Sequence, residues 1–462
     1  MREYVANAAN MGGRTMKSLG VRTASALIAL GCGLAASDAF AASFQLREPG
    51  GAIGQGQSFA GDVAKSDDPS VIFANPAGMA HLKGYQISTS ASFIIPSAVV
   101  TSESGSRTTV LGGSAISSSG SNYEAGRSAL LPSLFAVAPL GDDWRVGIAV
   151  TNPWGLATGY PGGTAQRYHA LSSKLATYNI EPAVSYKVSP SLALGGGVQI
   201  QYITARLTNA VDYGAAGTAA GVGRITGGPG TADGKATLDA NDLAVSYHLG
   251  LQYDLFPGTR IGFAYRGKVD HTLKGKGTFE GVPSVLAGAF REANAQTSVT
   301  LPDVISIGVA HDINANWQLL SSLAVTRWSQ LKKLDISFDN RANNLTTFNY
   351  KDTFFLAVGG EYKGFEKLTL RAGVAYDQSP TNDEFRTARI PDSSRFWLSV
   401  GATYKMTQNM DVSFGYSHLF AGTTKVDLKD SGPGTENFLR GNTKANYENQ
   451  VDILAVSARF TF

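Results

Sequence analysis

The sequence predicts an all-β protein, a 14-stranded antiparallel transmembrane β-barrel preceded by a small N-terminal segment of different character. Three observations predict it. Segments with apolar residues at every second position recur to the last residue. The connections between them are alternately short and long. The stretch Phe44–Leu82, rich in Gly, Ala and Ser, has no sustained alternation and stands apart from everything after it.

Taken in order, the chain starts with an export signal. Arg14, Lys17 and Arg22 form a basic start, Ala24–Ala36 an apolar run, and Ala39-Phe40-Ala41 a small-x-small cleavage site. Residues 1–41 are therefore expected to be removed, with Met16 as an alternative start. Cys32, the single cysteine, falls inside this signal, and Ala29 stands where a lipoprotein signal needs a large aliphatic residue. No later segment approaches 18 apolar residues, which argues against a helical membrane protein. Charged residues are only 16% against about 25% in ordinary soluble domains, and a net charge of +3 is too small to suggest a nucleic-acid partner.

Residues 42–83 form the next unit. Asn75-Pro76-Ala77-Gly78-Met79 is a helix start: Asn caps the exposed N–H groups and Pro fits the first helical position. Composition alone leaves two readings of this unit open, a compact plug and an N-terminal tail with one helical turn.

Residues 84–462 are strands. In the last one Leu454, Val456, Ala458, Phe460 and Phe462 share a face opposite Ala455, Ser457, Arg459 and Thr461. Segments 395–405 and 411–417 repeat the pattern, with small polar residues facing large apolar ones. An apolar face towards lipid and a polar face towards a lumen describe an outer-membrane barrel. The candidate strands lie near 84–97, 127–139, 143–152, 175–188, 191–207, 242–256, 259–276, 298–312, 316–337, 350–363, 366–378, 394–406, 409–421 and 446–462. Tyr186, Tyr253, Phe256, Tyr362 and Tyr404 at strand ends suit an interfacial girdle, with short periplasmic turns and long extracellular loops. Asn152-Pro153-Trp154-Gly155 closes the third strand. Pro cannot donate to a ladder and Gly weakens one, so this tetrad either opens a gap in the wall or simply ends the strand, and pattern alone favours the strand end. The 208–241 stretch, mostly Gly, Ala and Thr with few charges, reads as an apolar surface or a flexible loop, and its composition favours the flexible loop.

At this point the chain resembles the outer-membrane long-chain fatty acid transporters of the FadL type, a family that includes toluene and xylene channels. The resemblance rests on Ser43-Phe44-Gln45-Leu46, Asp67-Asp68, Asn75-Pro76-Ala77, Gly155-Leu156-Ala157-Thr158 and Trp328-Ser329-Gln330. Its most specific piece is Asp377-Gln378-Ser379-Pro380, Ile390-Pro391-Asp392 and Arg395-Phe396-Trp397-Leu398-Ser399. It implies a hatch at the N-terminus, a hydrophobic groove among the extracellular loops, and a deeper apolar pocket that Phe44 would contact. It also implies an inward kink of the third strand at Gly155 and its neighbours, with Asn75, Pro76 and Ala77 against it; Pro153-Trp154 departs from the family's pattern there.

The expected function is passive outer-membrane transport of hydrophobic molecules, long-chain fatty acids first, with aromatic or alkane hydrocarbons as the alternative. Apolar solutes gain about 0.8 kcal/mol per buried CH₂ by staying out of water, so a chain of apolar sites is needed to pass the lipopolysaccharide coat. The expected partners are these small molecules and outer-membrane lipid, for a monomer with no cofactor. Gly54-Gln55-Gly56 lacks the third glycine and the strand of a phosphate loop. Arg206 and Asp377 are candidate ligand contacts, Arg206 with a parity shared by Ile200 and Tyr202. Arg395, Lys405 and Arg459 have lumenal parity and read as salt-bridge partners of Asp377 or Asp411. A general porin conflicts with a plugged lumen. An outer-membrane hydrolase finds no Gly-x-Ser-x-Gly and no nucleophile motif around the six histidines.

Overall fold

The computed structural model describes residues 44–462, so the export signal over 1–41 and residues 42–43 of the N-terminal unit lie outside the described residues. Fourteen antiparallel strands close into a barrel. They are β1 (Gln86–Ser106), β2 (Ala129–Leu140), β3 (Trp144–Thr151, resuming as Gly155–Gly159), β4 (Ser172–Ser189), β5 (Leu192–Asp212), β6 (Asp233–Phe256) and β7 (Thr259–Arg266, resuming as Val269–Glu280). They continue as β8 (Ala293–Leu301, resuming as Val304–Asp312), β9 (Trp317–Thr326), β10 (Thr353–Tyr362), β11 (Leu368–Asp377), β12 (Arg395–Lys405), β13 (Met410–Leu428) and β14 (Asn442–Thr461). Each pairs with the next, and β1 closes on β14 from Gln86–Thr461 to Ser106–Asn442. A closed barrel leaves no strand edge, the condition for spanning a bilayer with strands.

Alternation becomes inside and outside as expected. On β14 Leu454 and Val456 are exposed while Ala455 and Ser457 are buried, and on β12 Phe396, Leu398 and Val400 face out. Trp397 faces the lumen, 3% exposed, because it shares parity with Ser399. Trp144 packs on Tyr186 and Trp317 on Tyr362 at the short-turn rim, where their amphipathic rings suit the interface.

Phe44–Leu82 fills the lumen, which removes the tail reading. Leu46, Phe59 and Ala60 pack among Leu320, Phe355, Trp397 and Ile453 of the wall, and Ile72 and Met79 among Phe135, Val137 and Ala149. Polar ties match small polar lumen residues: the Ala52 N–H donates to Ser457 Oγ at 2.9 Å and the Gly61 N–H to Ser322 Oγ at 2.9 Å. Lys65 pairs with the buried Glu361, which Arg371 also holds at 2.5 Å. Asn75 caps the 3-10 helix Pro76–His81 as expected, its Oδ1 accepting from the Ala77 N–H at 3.0 Å.

The 208–241 stretch is not a flexible loop. β5 runs on to Asp212 and β6 starts at Asp233, pairing to the end, and two short helices, Tyr213–Ala219 and Gly223–Thr226, close the hairpin. Asp212 caps the first through the Ala215 N–H at 2.8 Å and pairs with Arg107 at 2.8 Å. Small residues hide this order from composition, because the partners lie in other loops.

Candidate functional site

The site is built around the interruption of β3. The β2–β3 ladder runs from Leu140–Trp144 to Leu134–Val150, and the two segments next meet at the single bridge Gly126–Thr158, in unchanged register. On the other side β3 stays with β4 but moves by one residue between Thr151–Asn179 and Gly155–Ala176, a β-bulge at Asn152–Trp154. The wall therefore parts between β2 and β3, and Asn152-Pro153-Trp154-Gly155 is a break within a strand and not the strand end that pattern favoured. Pro132 sits on the β2 side of this gap, where a missing N–H costs nothing.

The freed β3 backbone takes a new neighbour, the start of the hatch. The Leu46 N–H donates to the Pro153 carbonyl at 2.9 Å, the Gly155 N–H donates to the Phe44 carbonyl at 2.9 Å, and Gln45 bridges Trp154. Thr177 of β4 secures the other side: its Oγ1 accepts from the Trp154 N–H at 2.9 Å, and its carbonyl accepts from Asn152 Nδ2 at 2.7 Å.

Above the break is a closely packed apolar cluster. Phe44, 3% exposed, meets Trp154 edge-on at 6.0 Å and Trp328 at 4.8 Å. Trp328 continues to Tyr350 at 5.7 Å, and Tyr350 to Phe348 at 5.2 Å. Leu156, Ile203, Leu273 and Leu301 complete the same cluster. Edge-to-face contacts suit ring quadrupoles, so the walls are ordered.

Phe348 and Leu334 extend this cluster to a cavity of about 570 Å³ among the extracellular loops. Its walls include Leu207, Leu238, Phe279, Ile336 and Phe438, together with Arg389 and Arg440. Arg389 donates to the carbonyls of Ser172 and Thr208 at 3.0 and 3.2 Å. Burial, with Arg440 nearby, pushes its guanidinium down to about 9. Burial also lowers Arg440, partly offset by Glu436. Arg341, Asp212, Glu436 and several Asn and Thr side chains share the lining, so the two half-buried guanidinium groups sit in a mixed wall where they can meet an anion.

Asn75-Pro76-Ala77 docks lower down. Asn75 Nδ2 donates to the carbonyls of Val63 at 2.7 Å, Leu251 at 3.0 Å and Phe263 at 3.3 Å. A Cβ at Gly250 would collide with Asn75, and one at Gly195 with Pro76 and Ala77, so the wall approaches the hatch this closely only with glycine. The direct partners of the β3 break are instead Phe44–Leu46, while Phe73 and Ala74, just before the motif, share a small cavity with Pro153 and Trp154.

The other expected residues fall in different places. Arg206 points outward and pairs with Asp239 at 3.5 Å with its side chain 60% exposed, so it does not reach the lumen; its parity with Ile200 and Tyr202 decides this. Asp377 is buried beside Arg395 and Arg47, against the hatch and away from the apolar cluster. Arg459 does pair with Asp411; Arg395 pairs with Asp392, and Lys405 is exposed at the rim. Arg389, Arg440 and Tyr350 were missed, because only their burial in the folded loops sets them apart.

A closed barrel, a plug seated in its lumen, and an apolar route from the outer loops to a break in the wall define a transporter of hydrophobic compounds in the outer membrane. A family model described as outer membrane protein transport protein (OMPP1/FadL/TodX) matches residues 32–462, and the chain belongs to this family. It is 32% identical to outer membrane protein P1 of Haemophilus influenzae, over 92% of this chain and 95% of that protein. It is 28% identical to the long-chain fatty acid transport protein of Escherichia coli O6:H1, over 86% and 91%. The fold is shared with a Pseudomonas aeruginosa FadL homologue (TM-score 0.80, 24% identity, 89% of this chain and 98% of that one). It is also shared with the Ralstonia pickettii toluene transporter TbuX (TM-score 0.63, 21% identity, 89% and 98%).

Proposed function

We propose that the protein takes up long-chain fatty acids by passive diffusion along a series of apolar sites. The observation that carries this reading is the pair of half-buried guanidinium groups, Arg389 and Arg440, in the wall of a cavity of about 570 Å³ whose lining is apolar over much of its extent. A hydrocarbon gains nothing from them, whereas a carboxylate relieves their desolvation. The acyl chain is then drawn into the cluster of Phe44, Trp154 and Trp328, each CH₂ contributing about 0.8 kcal/mol when buried. Retraction of Phe44–Leu46 from the β3 backbone opens the gap between β2 and β3, and the ligand leaves sideways into the membrane. The relatives named for long-chain fatty acid transport support the choice of ligand.

The test is competition of oleate, decane and toluene against a fluorescent fatty acid on detergent-purified protein. Oleate is expected to displace the probe best, and Arg389→Met to weaken oleate by about tenfold, the worth of a charge-assisted hydrogen bond, without weakening decane. Displacement by toluene or decane alone would replace this reading with hydrocarbon uptake.

A further inference from the structure

Between the apolar cluster and the hatch runs a row of uncharged polar side chains with bonds unspent. Thr151 of β3 stands opposite Asn179 of β4, and Asn179 opposite Gln201 of β5. Directly opposed residues share a face with Cβ atoms about 4.5–5.5 Å apart. Here that face is the lumen, and all three residues are at most 1% exposed. Thr151 Oγ1, Asn179 Oδ1 and Nδ2, and one end of the Gln201 amide have no protein hydrogen-bond partner. One end of the Gln201 amide meets His271 Nε2 at 3.2 Å, and His271 Nδ1 donates to Asp242 at 3.0 Å, so Nε2 accepts from the Gln201 NH₂ group and the amide oxygen is left free. A buried polar group without a partner costs about 1–3 kcal/mol, and this row concentrates several at one level of the lumen.

The surroundings give the row a direction. Two residues further along β5, Ile203 belongs to the apolar cluster, as do Val269 and Leu273 on either side of His271. On the hatch side, Gln199 accepts from Arg266 at 2.7 Å, and Arg266 donates to the Phe73 carbonyl of the hatch at 2.7 Å. The row also begins at Thr151, the last residue before the break.

We propose that Thr151, Asn179 and Gln201 form a second head-group station that takes the carboxyl end of the acyl chain after it leaves Arg389 and Arg440. This rests on the fatty acid reading above. The Asn179 NH₂ group and the Thr151 hydroxyl donate to the carboxylate oxygens, and the free Gln201 amide oxygen accepts from a protonated acid, while the hydrocarbon lies on Trp154, Leu156 and Ile203. An uncharged station holds a head group less tightly than two guanidinium groups, so it passes the ligand on at the exit.

The experiment measures palmitate and hexadecane binding to the full-length protein in detergent. Asn179→Leu and Thr151→Val remove atoms that have no protein partner, so the barrel should keep its heat-modifiable gel mobility and melt no lower than wild type. Palmitate is expected to weaken roughly tenfold per lost hydrogen bond, with hexadecane unchanged or tighter. Asn179→Ala, which leaves room where Leu fills it, should give the same split, and Asn179→Asp should repel palmitate but keep hexadecanol. Equal changes for palmitate and hexadecane, or none in any variant, overturn the station and leave the row as a water site. A wild-type protein that does not prefer palmitate to hexadecane overturns the carboxylate reading itself, and the station with it.

Discussion

At Asn152–Trp154 the wall parts between β2 and β3. Further round the wall, β7 is interrupted at Gly267–Lys268 and β8 at Pro302–Asp303, and the two resume their pairing in register. The first break carries no charged residue and is covered from within by three residues of the hatch through main-chain contacts. The second is stapled by side chains: Lys268 pairs with Asp270 at 2.8 Å, and the buried Asp303 holds Arg327 at 3.3 Å and Tyr265 at 3.2 Å. It opens outward as a polar crevice of about 490 Å³. Both breaks send a tryptophan to the same cluster, Trp154 from one and Trp328 from just past the other, 5.6 Å apart. The difference teaches what makes a gap a passage. A greasy molecule would have to strip water from four charged groups at the second break, whereas at the first it meets apolar side chains and a removable neighbour.

The comparison breaks most completely if the hatch is taken away. Deleting residues 44–82 should abolish selective uptake and raise ion conductance in planar bilayers, and unchanged conductance would mean that the segment does not plug the lumen. A disulfide across the first break comes next. Gln45→Cys with Trp154→Cys should reduce fatty acid uptake to background when oxidised and restore it on reduction. Uptake indifferent to oxidation would sink the lateral route. Gly250→Val pushes a side chain into Asn75 and should destabilise hatch docking by about 1–3 kcal/mol, read as partial conductance and reduced uptake in a barrel that still folds. The smallest effect on uptake belongs to the second break. Asp303→Asn leaves Arg327 without its carboxylate and should lower barrel stability by about 1–3 kcal/mol in urea titrations, with uptake close to wild type.

Much of this was legible in the chain. Period-two alternation located part of each of the fourteen wall strands, because lipid on one side and a lumen on the other impose opposite demands on neighbouring residues; it ran 316–337 together, where the strand ends at Thr326 and Lys333–Phe338 forms a separate hairpin with Asn344–Thr347. Pro153 and Gly155 marked the break, although their chemistry does not distinguish a gap from a strand end; that needed the pairing of Gly155–Gly159 with β4. Phe44 came from resemblance alone. Arg206 shows the limit of choosing a cation by type, since its own parity put it outside. Arg389 and Arg440 are ordinary in sequence and become unusual only when several loops bury them. The ends of β5 and β6 were missed for a related reason: their small residues carry no alternation, and their order comes from Asp212 and Arg107.

The unchanged register of β2 and β3 on either side of the break bears on assembly. A one-residue slip there would turn every later side chain to the wrong face and alter the tilt of the whole cylinder. Because β2 and β3 keep their register to the bridge Gly126–Thr158 while β3 takes up one extra residue against β4, the opening is a window bounded on one side by a bulge. An insertion apparatus laying down strands in sequence would meet β2 and β3 in one register throughout. The composition of the window can then change with the cargo, one residue at a time, without the rest of the barrel having to be rebuilt.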